Sequence, residues 1–407
     1  MINYAKEVVS DLEELKKLTS DEKGSQRVAW GATWRKAREW FVEKAKNLGG
    51  DISYDSAGNL WVKLEGKSKE SIAIGSHLDS VPNGGWLDGC LGVVSALGFL
   101  RVIKETGKPE KTIYIVDFAD EEGARFGRSL LGASAISGDF NVSELMNITD
   151  NEGIRLEEAL KENGVNIYDM PKAKEEFLEK NIKAYLELHI EQGPVLEESK
   201  KDVACVYGIT GVERWYVNFY GQSAHAGSFP VPNRKDAFLA AAEASLGFRE
   251  IALKYNAVCT VGKVKVFPDV VTIVPSHCQI SLDQRSINKQ DLSNMLNEAR
   301  EIAKIAGEKN GVSVSWENIF SIAPTLFNED LIEIAVNTVL EETGEKTKMY
   351  SGPLHDAAEM QKVVPSVMLF AMSNNGLSHC VEEDTPKEAL YKTISVFYKI
   401  IAKVIGL

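Results

Sequence analysis

Apolar positions along this chain follow two periods. In MINYAKEVVSDLEELKKL they recur at helical spacing with charges between them, which predicts an amphipathic N-terminal helix. SIAIGSH is a short apolar run, LGVVSALGFLRVIKET returns to the helical period, and KTIYIVDFAD is again a short run. Runs of this kind, apolar on both faces, belong to strands covered by helices on both sides. Strand, helix, strand in that order predicts an α/β domain built on a doubly wound mixed sheet. Such sheets bind ligands at the carboxyl ends of their strands.

A different rhythm runs from about Glu213 to Leu326. WYVNFYGQ reads as a strand, RKDAFLAAAEASLGFREIALKY as a helix, and CTVGKVKVF and TIVPSHCQISLDQRS as two strands. The helix KQDLSNMLNEAREIAKIAGEKN and the strand VSVSWENIFS complete a βαββαβ order, that of a ferredoxin-like α+β sandwich. Segments rich in candidate chemistry lie on both sides of it. The expected organisation is a discontinuous domain of residues 1–212 and 327–407 that carries the site, with residues 213–326 inserted as a lid and dimerisation domain. No internal repeat or low-complexity linker interrupts this plan.

Composition narrows the function classes. With 407 residues, 44% hydrophobic and 26% charged, the chain can bury two cores. A net charge of −13 argues against general binding to nucleic acid or anionic membranes, both of which need clustered Lys and Arg. The N-terminus lacks the unbroken apolar core of a signal peptide, and no stretch approaches the roughly 20 apolar residues of a membrane span. Five cysteines without a CxxC pair suit a reducing compartment. A cytoplasmic protein acting on a small molecule is expected.

The six histidines bring a specific chemistry into view. Most stand beside carboxylates or glycines in turn-like segments: GSHLDSVPNGGWLDG (His77, Asp79, Asp88), DFADEEGARFG (Glu121, Glu122), LELHIEQGP (His189), GQSAHAG (His225), SGPLHDA (His355) and GLSHC (His379). A borderline-soft divalent ion takes imidazole nitrogen and carboxylate oxygen, and a hydrolytic one keeps a position open for water. His77, Asp88, Glu122, His189 and His379 could serve two such ions, and the donor set accepts zinc, manganese, cobalt or nickel. Asp79, two residues after His77, can accept the far imidazole N–H and fix its tautomer. Glu121 and Glu122 are neighbours, and on an extended backbone neighbours point opposite ways. One can then hold metal while the other faces substrate. Arg285, in LDQRS, offers a planar fork for a substrate carboxylate or, alternatively, a structural ion pair with Asp283. His277, in mid-strand, reads as structural, and Cys90 and Cys380 read as small packing residues.

In their order these segments resemble the M20 metallopeptidase superfamily. Within it they look like the hydantoinase/carbamoylase branch, which includes N-carbamoyl-L-amino-acid hydrolase, β-ureidopropionase and allantoate amidohydrolase. The resemblance covers nearly the whole length, with HIEQGP as the mark of the branch. It implies that Asp88 bridges the two metals and is followed by a strained or cis peptide bond. It implies that Glu122 is a ligand, that Glu121 is the general base, and that His189 stands where peptidase relatives often carry an acid. By the same resemblance Gln192 contacts substrate, and His225 crosses a homodimer interface to steady the oxyanion in the partner's site. His355 lies in a matching motif and either touches substrate or supports its loop.

Departures from the family pattern fall around the substrate. Thr272 stands where relatives usually carry Asn, Phe229 adds bulk in GSFPV, Pro353 and Leu354 add more in SGPLHDA, and Val381 replaces a common Pro. The candidate ligands and base are all kept. The expectation is a binuclear amidohydrolase that cleaves the C–N bond of an N-carbamoyl-L-amino acid or similar ureido acid with an altered pocket. The alternatives are an allantoate or other ureide hydrolase, an N-acyl-amino-acid or dipeptide hydrolase, and, more remotely, a metal-bound binding protein without catalysis.

Overall fold

In the computed structural model, which describes residues 1–407, SIAIGSH becomes the strand Ser71–His77, buried along its whole length. Its parallel neighbours are Thr112–Phe118 on one side and Ile182–Ile190 on the other. A fourth parallel strand, Ser366–Ala371, pairs with the far side of Ile182–Ile190. Antiparallel strands flank this centre. Leu60–Leu64 and Asp51–Tyr54 lie beyond Thr112–Phe118, and Val203–Ile209 lies beyond Ser366–Ala371. The sheet is mixed, with a parallel middle.

Each face of the sheet is covered, which is why its strands carry so little polar alternation. On one face Ile72, Ile74, Leu186 and Leu188 join a core with the helices Ile2–Thr19, Cys90–Thr106 and Lys387–Ile405. Tyr398 donates its hydroxyl to the carbonyl of Ser95 at 2.9 Å within that layer. On the other face Trp61, Phe118 and Tyr185 from three strands meet edge to face. Side chains alternate along a strand, so the residues that follow Tyr185 on this second face are Glu187 and His189.

By internal contacts the chain divides into two units, Met1–Tyr207 with Phe327–Leu407, and Gly208–Leu326. The second unit holds the strands Gly211–Tyr220, His277–Ser286 and Ser313–Ile322, all antiparallel, with the short strands Val258–Thr260 and Val264–Phe267 paired to His277–Ser286. The segment CTVGKVKVF, read as one strand, is two pieces. Helices Ala237–Lys254 and Lys289–Asn310, capped by Asp236 and Asn288, pack their apolar sides on this sheet through Phe248, Met295, Val217 and Ile280. The strand His277–Ser286 alternates buried and half-buried residues without a break, as expected for a sheet covered on one face. No helix of the chain is long and apolar enough to cross a membrane.

Candidate metal centre

The parallel register sets His77 opposite Phe118 and His189 opposite Phe370, so the carboxyl ends of four strands lie at one edge of the sheet. His77 ends its strand, and Asp88 lies in the loop after it. Glu121 and Glu122 follow Phe118, His189 is the penultimate residue of its strand, and His379 lies in the loop after Ala371. The two glutamates sit in a turn beyond the strand, so the pleat does not set their directions. The turn begins at Asp120 with φ +58°, and Gln192 and His379 share this left-handed geometry at +57° and +58°. Each such non-glycine residue costs about 1–2 kcal/mol, a strain often concentrated at functional loops.

Asp88 is the hub. Its Oδ1 lies 3.2 Å from His189 Nε2 and 3.6 Å from His77 Nε2. Its Oδ2 lies 3.2 Å from His379 Nε2, which is in turn 3.6 Å from Glu122 Oε2. Two donor groups result, His77, Asp88 and His189, and Asp88, Glu122 and His379, each with its ligand atoms within 4.8 Å of one another. Both inner imidazoles engage Nδ1 with a main-chain carbonyl at 3.0 Å, His77 with that of Asp79 and His189 with that of Ile190. A proton held on Nδ1 turns the Nε2 lone pair toward the centre. The peptide bond after Asp88 is trans, and Gly89 takes the turn at φ +63°. A Cβ at Gly89 would stand 2.4 Å from the His77 carbonyl oxygen, so a side chain has no room there.

The donors fit divalent cations. Glu122 Oε1 is buried without a hydrogen-bond partner. The Gln192 amide nitrogen reaches among Asp88 Oδ2 at 2.9 Å, Ser378 Oγ at 3.1 Å and His379 Nε2 at 3.3 Å, so polar atoms converge on one point. Electrostatics point the same way. Burial, with Asp356 and Glu122 adding, pushes the Glu121 carboxyl well above its usual range, and burial with Asp88 does so for Glu122. Burial alone would raise Asp88 too, but hydrogen bonds with His189 and His379 hold it well below. Burial lowers His77 to about 4. Burial works against the charge on His189 as well, yet its bond to Asp88 lifts it to about 9. The bond to Asp88 likewise lifts His379 to about 9. The Gly89 N–H also points at His189 Nε2 from 3.2 Å, which calls for a lone pair there. A cation in place of the proton would take up the Nε2 lone pair of His189 and offset the charge of Asp88.

Asp79, His355 and Gln192 stand against the donors. The Asp79 carboxylate stands 3.6 Å from His77 Nδ1 and instead accepts the main-chain N–H groups of Glu121 and Glu122 at 3.2 and 3.1 Å. It orients the glutamate turn, while its carbonyl orients His77. His355 is 1% exposed, with its ring centroid 4.4 Å from that of His189. Ser351 gives its hydroxyl proton to the Pro353 carbonyl, so at 2.9 Å it accepts from His355 Nε2. The Gln192 amide donates to Asp88 Oδ2.

The second unit carries the remaining candidates. His225 lies in a two-strand ribbon opposite Ile273, and Thr272 accepts the Ala226 N–H at 2.9 Å. The His225 Nδ1 accepts main-chain N–H groups of Gly227 and Ser228 at 3.1 and 3.2 Å, which leaves Nε2–H as an exposed donor. Arg285 Nε donates to Asp283 at 3.0 Å, and Asp283 also accepts from Arg214 Nε at 2.8 Å. His277 stacks between Tyr220 and Phe267, at centroid distances of 4.7 and 5.1 Å, and bonds Asn218. Sequence reasoning missed Glu383 and Ser378. The first is one of three consecutive acids that look like a solvated surface, and only its 1% exposure singles it out.

Residues 73–403 match the model of peptidase family M20/M25/M40. Over 382 residues the chain is 31% identical to the N-carbamoyl-L-amino acid amidohydrolase of Geobacillus stearothermophilus, a match that covers 93% of each. It is 31% identical over 372 residues to the allantoate amidohydrolase of Bacillus subtilis, covering 90% of this chain and 89% of that one. Among solved structures, a hydantoinase/carbamoylase family amidase from Burkholderia multivorans superposes with a TM-score of 0.89 at 27% identity, over 98% of this chain and 97% of that one.

Proposed function

The chain belongs to peptidase family M20/M25/M40, and from that premise we propose that it is a metal-dependent amidohydrolase that cleaves the C–N bond of an N-carbamoyl-L-amino acid or a similar ureido acid. The observation that carries this reading is the two-sided engagement of Asp88, one oxygen toward His77 and His189 and the other toward His379. The two donor groups sharing Asp88 would hold two divalent cations. When bound, such ions make a water acidic enough to attack at neutral pH and polarise the substrate carbonyl.

The chain's own groups do the rest. Glu121, 7% exposed and with Oε2 3.7 Å from His77 Nε2, takes the proton of the attacking water and delivers it to the leaving nitrogen. Asp79 holds the main-chain turn of Glu121 and Glu122, so base and ligand move as one piece. His225, with Nδ1 committed to main-chain donors, offers Nε2–H to the developing oxyanion from the second subunit of a homodimer. A donor of this kind is worth about 2.7–4 kcal/mol in the transition state. Arg285 and Gln192 orient the substrate, and Thr272 shapes the pocket beside His225. Cleavage releases the amino acid and carbamic acid, which breaks down to carbon dioxide and ammonia.

The similarity to an enzyme named allantoate amidohydrolase supports a second substrate reading, allantoate or a related ureide. The test is ammonia release from N-carbamoyl-L-amino acids, β-ureidopropionate and allantoate by the manganese- or zinc-loaded protein, with Glu121→Gln as control. Turnover of one class that vanishes in the variant supports the reading. No turnover by a protein shown to hold metal rejects these substrates.

A further inference from the structure

Glu383 joins the loop of Asp88 to the loop of His379, and we propose that it is a positioning residue for the metal centre. The inference rests on the metal reading above. Glu383 Oε1 accepts the main-chain N–H groups of Leu87 and Asp88, each at 3.0 Å, and Oε2 accepts the Ser378 hydroxyl at 2.7 Å. The residues so joined are almost 300 positions apart in the chain. Gly85 makes the approach possible, since a Cβ there would stand 1.8 Å from the Glu383 carboxyl carbon. Next to it, Asp384 accepts from Trp86 Nε1 at 3.2 Å, a second link between the same two loops. The outer neighbour, Glu382, is exposed.

A buried carboxylate is tolerated where donors surround it, and here three do. Their identity gives the role. Two are the main-chain groups that set the direction of Asp88, and the third is the residue before His379. Ser378 has one hydroxyl proton and two carboxylates in reach, Glu383 at 2.7 Å and Asp88 Oδ2 at 3.2 Å. The shorter bond to Glu383 takes that proton, which leaves for a cation the lone pair of Asp88 Oδ2 that Gln192 does not engage. In the Glu383→Gln variant the amide oxygen can still accept from Leu87 and Asp88. Its –NH2 then donates to Ser378, and the serine proton turns to Asp88. The shape is kept, and the ligand is compromised.

Chelator-stripped protein is titrated with manganese or zinc by calorimetry, and the melting temperature of the metal-free protein is recorded alongside. Outer residues that orient metal ligands typically account for about 10–100-fold in affinity. Glu383→Gln should weaken binding by that factor while the metal-free melting temperature stays near that of the wild type. Ser378→Ala, which keeps the links to Leu87 and Asp88, should weaken it less, and the exposed neighbour Glu382→Gln should bind as the wild type does. Wild-type affinity in both Glu383→Gln and Ser378→Ala overturns the proposal. If Glu383→Gln does not fold, Ser378→Ala decides alone. A wild-type chain that binds no metal refutes the metal reading itself, a separate failure.

Discussion

Asp88→Asn tests the electrostatic design of the centre without any metal present. In the metal-free protein, His189 is 1% exposed, and burial alone would favour its neutral form. Its bond to Asp88 nonetheless lifts it from 6.5 to about 9. At about 1.4 kcal/mol per pH unit, that difference corresponds to roughly 3 kcal/mol of preferential stabilisation of the folded state. The sign follows from proton counting. A histidine whose folded value is raised adds stability that is complete below 6.5 and is lost as pH climbs through 9. In Asp88→Asn the hydrogen bond to a carboxylate and its charge are gone, burial remains, and only Glu187 and the Ile190 carbonyl still favour the cation. The His189 signal, followed by NMR in histidine-labelled protein freed of metal, should move from titrating near 9 to titrating at or below 6.5. The loss of stability between pH 6.5 and 9 should be smaller in the variant by roughly 3 kcal/mol from His189, with a further, solvent-screened share from the half-exposed His379, which Asp88 also raises to about 9, while groups raised by other causes, such as Asp120 at about 8, act alike in both proteins. An unchanged His189 titration in the variant would refute the assignment of Asp88 as the hub.

Other expectations follow from the same geometry. Glu121→Gln should lower kcat by roughly 10²–10⁴-fold while metal content and KM stay near the wild-type values, measured by ammonia release and elemental analysis. Gly89→Ala puts a Cβ 2.4 Å from the His77 carbonyl oxygen and 2.5 Å from its ring, at a φ of +63° that adds about 1–2 kcal/mol. Metal stoichiometry should fall, and retention of full metal content would contradict the close approach. Arg285→Lys removes the planar fork and should raise KM for carboxylate-bearing substrates about 10–100-fold with a smaller change in kcat, as expected for loss of a charge-assisted hydrogen bond of about 1.5–3 kcal/mol.

The strands and helices were legible because their periods differ and because the central runs lack polar alternation. SIAIGSH and TIYIVDF could hardly be anything but covered strands. The donor set was legible for a related reason, since histidines and carboxylates at the ends of such strands must share one edge once the strands are parallel. What stayed hidden is what depends on partners distant in the chain. Asp79 reads as the companion of His77, two residues away, yet its carboxylate serves the main chain of Glu121 and Glu122. Glu383 sits beside the exposed Glu382, and nothing in VEED says which acid turns inward. The hydroxyl of Ser351 decides which nitrogen of His355 carries the proton, and it does so through a turn at Pro353 that no periodicity encodes.

The place of Ser366–Ala371 in the sheet has a consequence for how the protein is made. This strand lies between Ile182–Ile190 and Val203–Ile209, which are close together in the chain. About 160 residues must be added after Val203–Ile209 before the strand between them exists. At roughly 5–20 residues per second, a ribosome leaves that slot open for about 10–30 seconds, with two apolar strand edges waiting for the same missing partner. During this interval the nascent chain is exposed to hairpin mispairing and to capture by other unpaired edges. Dependence on chaperones during synthesis should therefore end only when the last parallel strand has left the exit tunnel.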